Sequence, residues 1–394
     1  MRILHTSDWH LGARLGTQER LNDQFDRLEE LCEYIDREEV DLLLVAGDIF
    51  DEHRAEALAR IIGRLARLLT PRIEAGLSAV FIAGNHDREH VFPLLRGLQE
   101  LVAPEGRRRV IFAERPELVP VTSRREETVH LVLLPYPTAV RYDLADQRWP
   151  SPDTKRQALA EAVRTYIQEL AKEARDAGPG LPTVLCGHFL VRGVKEGFYQ
   201  LTEQEDVPVE PGDLPAYAYI ALGHIHKPQA VGAPYIRYSG SLERMDRGEA
   251  KDRKQALLVD VGRSGLHEVR ELPLNATPFG QVEASTESDL EAAAASLSEP
   301  ERTLVSLCLT VRRDQSLGAL QAHARQIFPR LYGPPEVRWL DAPAPVRATF
   351  EVDRRDVAAT VRIYLRETLR DDPDAEALLP MAEELLTEVT GPPP

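Results

Sequence analysis

Short apolar runs punctuate the first two-thirds of the chain. They fall at residues 3–4, 42–46 (LLLVA), 79–83 (AVFIA), 110–112, 129–134 (VHLVLL), 183–186 (TVLC), 219–222 (YIAL), 235–238 and 256–261. Their length and β-branched content predict buried strands. Helical patterns lie between several of them. Leu21, Phe25, Leu28, Cys32 and Ile35 recur at steps of four and three, which places them on one apolar stripe. Leu58, Ile61, Ile62, Leu65, Leu68 and Leu69 form a second stripe, and Leu159, Val163, Tyr166, Ile167 and Leu170 a third. Strands alternating with helices predict an α/β architecture up to about residue 270. Fewer helices separate the later strands, so the sheet is expected to be mixed.

The texture changes after residues 272–275 (LPLN). Residues 286–297 predict a capped helix with Ser288 or Asp289 near its start. Residues 304–311 alternate as a strand, 316–328 are helical, and 346–352 predict another strand. Two amphipathic helices follow at 354–370 and 374–389, split by the sequence DDPD. One carries Val357, Val361, Tyr364, Leu365 and Leu369, the other Leu378, Leu379, Met381, Leu385 and Leu386.

The chain of 394 residues is long enough for two or three domains. Its net charge is −16, and half of that falls in residues 281–394. This excludes a uniformly basic nucleic-acid coat, but not a polyanion held by metal ions or local arginines. Cys32, Cys186 and Cys308 are too sparse for a disulfide framework or a CxxC zinc site and predict small buried residues of a reduced protein. No secretory h-region or membrane-length apolar run is visible, so a cytoplasmic protein is expected.

The chemistry lies just past the apolar runs. The first leads to Asp8-Trp9-His10, the second to Gly47-Asp48-Ile49-Phe50-Asp51, and the third to Gly84-Asn85-His86-Asp87. Two later runs lead to Gly187-His188 and Gly223-His224-Ile225-His226. Sites in α/β sheets form at the C-terminal ends of strands, and glycine there lets the chain turn close to a ligand. Asp8, His10, Asp48, Asn85, His188, His224 and His226 are too many ligands for one transition-metal ion. They suit two ions if one carboxylate bridges. Mixed imidazole, carboxylate and amide ligation fits Mn²⁺, Fe²⁺ or Zn²⁺ better than calcium or thiolate-preferring metals. Two such ions serve phosphoryl displacement by clamping the attacking and leaving oxygens. Any one of these pieces is commonplace, since a glycine-aspartate turn is often only a helix cap and a lone histidine is usually structural. The ordered set is what points to a site.

That set resembles the calcineurin-like metallophosphoesterases. Residues 2–12 (RILHTSDWHLG), 45–51 (VAGDIFD), 83–87 (AGNHD), 219–229 (YIALGHIHKPQ) and 238–241 (YSGS) look like the SbcD-type nuclease subunits within them, bacterial relatives of the meiotic-recombination nuclease. The resemblance implies a two-sheet β-sandwich flanked by helices, a small α+β capping domain and a C-terminal helical segment that binds a partner ATPase. The expected boundaries are 1–275, 276–345 and 346–394. It implies one ion on Asp8, His10, Asp48 and His226, and another on Asp48, Asn85, His188 and His224, with Asp48 bridging. His86 matches the family's catalytic histidine. Asp51 stands where archaeal members carry a second active-site histidine, so its role does not transfer directly. Asp87 is expected to orient His86 or shape its turn.

The activity so implied is a Mn²⁺-dependent DNA nuclease, a 3′→5′ exonuclease on duplexes and an endonuclease on single strands and hairpins. It works as a homodimer with an SbcC-type SMC-like ATPase at the bacterial nucleoid. No GxxxxGK[ST] word occurs, so ATP dependence falls to that partner. The candidate DNA contacts are Arg14, Arg88 and the triplet Arg107, Arg108 and Arg109, with Arg124 and Arg125 further candidates. A solvated turn is the plainer reading of the triplet. Two alternatives stay open from the residues alone: a two-metal phosphodiesterase acting on nucleotides or small phosphoesters, and a metal-loaded scaffold that tethers DNA ends.

Overall fold

A computed structural model describes residues 1–102, 109–194, 207–312, 314–340, 357–369 and 375–390. The chain runs β1 (Arg2–Thr6), a hairpin of β2 (Arg14–Leu15) and β3 (Gln18–Glu19), α1 (Leu21–Arg37), β4 (Leu42–Val45) and α2 (Ala55–Glu74). It continues through β5 (Ser78–Ile82), α3 (Val91–Val102), β6 (Val110–Ala113), β7 (Glu117–Thr122), β8 (Thr128–Leu134) and α4 (Pro152–Ala177). Next come β9 (Thr183–His188), β10 (Tyr219–Gly223), β11 (Gln229–Val231), β12 (Ala233–Tyr238), β13 (Gln255–Gly262) and β14 (Gly265–Pro273). The last elements are β15 (Phe279–Ala284), α5 (Glu287–Ser296), β16 (Leu304–Val311), α6 (Leu317–Ile327), β17 (Glu336–Trp339), α7 (Val357–Thr368) and α8 (Ala375–Thr390).

Two six-stranded sheets form the body, ordered β14-β13-β1-β4-β5-β6 and β11-β12-β10-β9-β8-β7. Strands β1, β4, β5 and β6 are parallel in the first, and β8, β9, β10 and β12 in the second. Antiparallel β13 and β14 extend the first sheet, while antiparallel β11 and β7 close the edges of the second.

The continuous apolar runs result from this layering, because each central strand is covered on both faces. In β4, Leu42 and Leu44 point between the sheets, where they meet Leu131, Leu133, Val184 and Cys186. Leu43 and Val45 point outward against Phe25, Leu28 and Cys32 of α1 and Ile61 and Leu65 of α2. The outer face of the second sheet, with Val132, Leu185 and Ile220, packs on Leu159, Val163 and Ile167 of α4. A buried side chain of this kind contributes about 1.5–3 kcal/mol, so the three apolar layers fix the strand register. All three cysteines are buried.

The described chain divides into two compact units, residues 1–309 with 318–336, and residues 310–317 with 337–394. In the first unit β15 and β16 pair in parallel beside α5. Thr286 caps α5 by accepting from Asp289 N, and the Asp289 side chain reaches back to Thr286 N. The cap is therefore Thr286, two or three residues earlier than the sequence suggests, because Asp289 completes a reciprocal capping box instead of starting the helix. In the second unit, Arg362 of α7 pairs with Glu383 of α8 at 2.8 Å. The strand expected at 346–352 lies outside the described residues. Among them, no helix is long and apolar enough to cross a membrane.

Candidate dinuclear metal site

The loops that leave β1 and β4 stay paired beyond the strands. Ala46 N donates to Thr6 O, Asp8 N to Gly47 O, and His10 N to Asp48 O, at 2.8–3.0 Å. Keeping this pairing while turning the side chains inward forces left-handed backbone. Seven described non-glycine residues have positive φ, and four of them are Asp8, His10, Asp48 and His224. Such strain, about 1–3 kcal/mol each, persists only where the surroundings over-determine it, and it clusters at functional sites.

Gly47 shows how tightly the parts meet. Its φ is +91°, and a Cβ there would stand 2.1 Å from Nδ1 of His188. Gly47→Ala is therefore expected to destabilise the fold by about 2–4 kcal/mol and to displace His188. Thermal unfolding of the metal-free chain, with Mn²⁺ titration, checks this. An unchanged melting temperature would contradict it.

The seven predicted ligands converge. His10 Nε2 lies 3.1 Å from His226 Nε2 and 3.7 Å from Asp48 Oδ2, and His226 Nε2 lies 3.9 Å from Asp8 Oδ1. On the other side, His188 Nε2 is 3.4 Å from Asp48 Oδ2 and 3.0 Å from Asn85 Oδ1, which also meets His224 Nδ1 at 3.1 Å. Asp48 thus stands between the two sets. Asp8 belongs to both neighbourhoods, since its carboxylate groups with His10 and His226 and also with Asp48 and His188.

Hydrogen bonds fix which ring nitrogens are turned toward the site. The carbonyl of Ala46 can only accept, so His188 donates from Nδ1 at 2.7 Å and turns its Nε2 toward Asp48 and Asn85. The Glu249 carboxylate likewise accepts from His226 Nδ1 at 2.9 Å, which turns Nε2 toward His10. Nitrogen and oxygen atoms able to ligate a metal therefore face one another at 3.0–3.1 Å, the His10–His226, His188–Asn85 and His224–Asn85 contacts. Two ligand nitrogens about 2.0–2.1 Å from one ion, at roughly a right angle, lie about 3 Å apart. The donor set fits divalent transition metals.

The charge balance agrees. Burial opposes ionisation of Asp48, yet His188 and His10 hold its carboxyl well below the usual carboxylate range. Burial pushes His10 down to about 4. Burial also works against charge on His188, but the Asp48 carboxylate outweighs it and raises the ring to about 9. Asp8 is braced by Ser7 Oγ at 2.5 Å and by His224 N at 3.0 Å.

His86 sits at the exposed rim. Its backbone N donates to Asp48 Oδ1 at 2.8 Å and its Nδ1 meets Asp51 Oδ1 at 3.0 Å. The hydrogen bond to Asp51 raises the His86 pKa despite partial burial. Asp87 takes the second of its two expected roles and shapes the turn. It accepts from Ile49 N, Phe50 N and Gly84 N at 2.8–3.2 Å, and so ties the two ligand-bearing turns together. Arg141 clamps the same turn through Gly84 O and Asp87 O.

The arginines scatter. Arg88 comes directly after the His86 turn and lines a small cleft with Phe92, Arg115 and Arg141. Arg14 lies on the β2–β3 hairpin, where it pairs with Glu19 at 3.3 Å. Arg109 donates to Gly76 O at 2.8 Å, and Arg124 to Ala75 O at 3.3 Å and Val40 O at 3.4 Å. Residues 40, 75 and 76 precede β4 and β5, so Arg109 and Arg124 stand at the end of the sheet opposite the ligands. Arg107 and Arg108 lie outside the described residues.

Sequence reading missed Ser7, Arg141, Glu249 and Lys254. Ser7 lies inside the first motif, beside Asp8, but Arg141, Glu249 and Lys254 lie in stretches with no periodic or motif signal.

The family model for calcineurin-like phosphoesterases matches residues 1–228, which include all seven candidate ligands. The SbcD subunit of nuclease SbcCD from Escherichia coli (strain K12) is 30% identical over 313 residues, 76% of this chain and 74% of that protein. The subunit of the same name from Rhodobacter capsulatus is 30% identical over 261 residues, 61% and 62% of the two chains. A solved dimetal phosphatase from Danio rerio aligns over 70% of this chain and 99% of its own, at 11% identity and a TM-score of 0.37.

Proposed function

This chain belongs to the calcineurin-like phosphoesterases and is a metal-dependent phosphodiester hydrolase akin to the SbcD subunit of SbcCD, and on that premise we propose that it is the DNA nuclease subunit of an SbcCD-type complex. The observation that carries the reading is the meeting of seven ligand side chains from five strand ends around Asp48, with His86 exposed beside them. We assign Asp8, His10, Asp48 and His226 to one ion and Asp48, Asn85, His188 and His224 to the other, with Mn²⁺ as the resident metal. Such a pair, when bound, supplies charge neutralisation on the phosphodiester and a water of lowered pKa.

The chain's own residues do the rest. Asp51 accepts from His86 Nδ1–H, which leaves Nε2–H to donate a proton to the departing 3′ oxygen as the P–O bond breaks. Asp87 and Arg141 keep the His86 turn against the Asp48 turn. Removing the Asp51 charge in Asp51→Asn lowers the His86 pKa, so the acid loses its proton at lower pH. The alkaline limb of the kcat/KM profile is expected to move toward acid. A slower enzyme with an unmoved limb would contradict the role of Asp51.

The substrates proposed are duplex ends, hairpins and single strands, with 3′→5′ exonuclease and single-strand endonuclease activity. Arg88 and Arg14 are the described arginines best placed to meet DNA, since Arg109 is spent on Gly76. An SbcC-type ATPase docks on α7 and α8, where Tyr364, Met381 and Leu385 are exposed. A chain ending at residue 345 is expected to lose co-purification with that ATPase, and retention would refute the docking site. Two nuclease subunits pair in the working, nucleoid-associated complex. The functional test is cleavage of end-labelled hairpin and blunt duplex DNA in Mn²⁺, with and without the ATPase, beside a small phosphodiester. Hydrolysis of the small diester alone would favour a nucleotide-type phosphodiesterase instead.

A further inference from the structure

Behind His226 lies a closed ring of buried polar groups. Glu249 sits on a short 3₁₀ turn, Arg247–Lys251, capped by Asp246. Its Oε1 accepts from His226 Nδ1 at 2.9 Å. Its Oε2 accepts from Lys254 Nζ at 2.5 Å and from Met245 N at 3.1 Å. Lys254 also donates to the backbone carbonyl of His226 at 3.0 Å and to Ser241 Oγ at 2.8 Å. The path from the His226 ring through Glu249 and Lys254 returns to the His226 main chain. Glu249 is 6% exposed and Lys254 1%.

A buried ion pair is a poor source of stability, because desolvation of both charges offsets most of their attraction. The effect of this pair is geometric. A carboxylate on Nδ1 excludes the other tautomer, and the lysine holds that carboxylate and the histidine carbonyl at once. Nε2 is thereby aimed at the site, 3.1 Å from His10 Nε2. At His188 the corresponding partner is the neutral carbonyl of Ala46, so the two halves of the site are supported differently. A carboxylate behind a ligand histidine also raises its donor strength.

We propose that Glu249, held by Lys254, is a positioning residue for His226, and that it sets the occupancy of the ion on Asp8, His10 and His226 independently of the other ion. The inference rests on the metal assignment above. It predicts selective damage: removing Glu249 weakens one ion and spares the ion on Asn85, His188 and His224.

The test is Mn²⁺ binding to the full chain, monitored by isothermal titration and by electron paramagnetic resonance, with thermal unfolding of the metal-free protein alongside. The wild type is expected to bind two ions. Glu249→Ala is expected to bind one ion as before and the other about 10–100-fold more weakly, with a mononuclear signal at low Mn²⁺. Should that variant fail to fold, the pair Glu249→Gln with Lys254→Met keeps the volume, removes both charges, and should show the same one-ion loss. Two ions at wild-type affinity in a folded variant, or equal weakening of both, would overturn the proposal. A wild type that binds no ion pair would instead sink the metal assignment itself.

Discussion

Asp48→Asn is expected to abolish cleavage, with a fall on the order of 10³-fold or more, and to halve the bound metal. Asp48 stands between the two ligand sets, with Oδ2 3.7 Å from His10 Nε2 and 3.4 Å from His188 Nε2, while Oδ1 accepts from His86 N. The amide keeps the volume but loses the charge that the surrounding imidazoles are arranged to meet. It also presents an NH₂ group where a second acceptor is needed. The His188 pKa, raised to about 9 chiefly by Asp48, should fall, because burial is then opposed only by Asp8 and the Ala46 carbonyl. Metal content and single-turnover cleavage, measured on the same preparation, check the expectation. Full metal content with normal cleavage would remove Asp48 from the site.

His86→Ser is expected to separate binding from chemistry. The side chain is 45% exposed and pairs with Asp51, so serine opens no core cavity and the fold should be unaffected. Loss of a positioned general acid costs about 10²–10⁴-fold in rate. Metal stoichiometry should stay at two ions, since neither proposed ligand set includes His86. The ring does stand near His10 and Asp48, with centroids of His10 and His86 4.7 Å apart, so the prediction is a strict one. Loss of an ion in His86→Ser would make this histidine a ligand. Retained cleavage would leave the leaving group to another acid.

Much of the site was legible because its chemistry is written at strand ends. Strands β4, β5 and β10 carry apolar side chains on both faces, so each reads as an uninterrupted word leading into glycine and a polar ligand. Strand β7, with Pro120 inside it, and β14, mostly polar, gave no such word. Each lies at a sheet edge with one neighbour, where exposure erases the apolar signal. Glu249 and Lys254 were hidden for a different reason. They act on His226 across more than twenty residues of chain, and nothing in their own neighbourhood requires a carboxylate or an ammonium. Arg109 shows the opposite case. Its place in a basic triplet suggests phosphate binding, while its guanidinium is occupied by Gly76 O.

The acidity of the chain has a local meaning at this site. Asp8, Asp48 and Asp51 lie against imidazoles, and burial with the charge of Asp48 pushes the neighbouring Asp87 up to about 6. Carboxylates gathered so closely call for cations, and the imidazole and carboxylate groups around Asp48 supply places for them.

The most direct test of a dinuclear centre bridged by Asp48 is the Mn²⁺ electron paramagnetic resonance spectrum of the full chain, titrated to saturation beside its DNA cleavage. Two ions per chain are expected, spin-coupled through a shared ligand, with cleavage rising as the second ion binds. Two uncoupled ions, or full cleavage with a single ion, would contradict it.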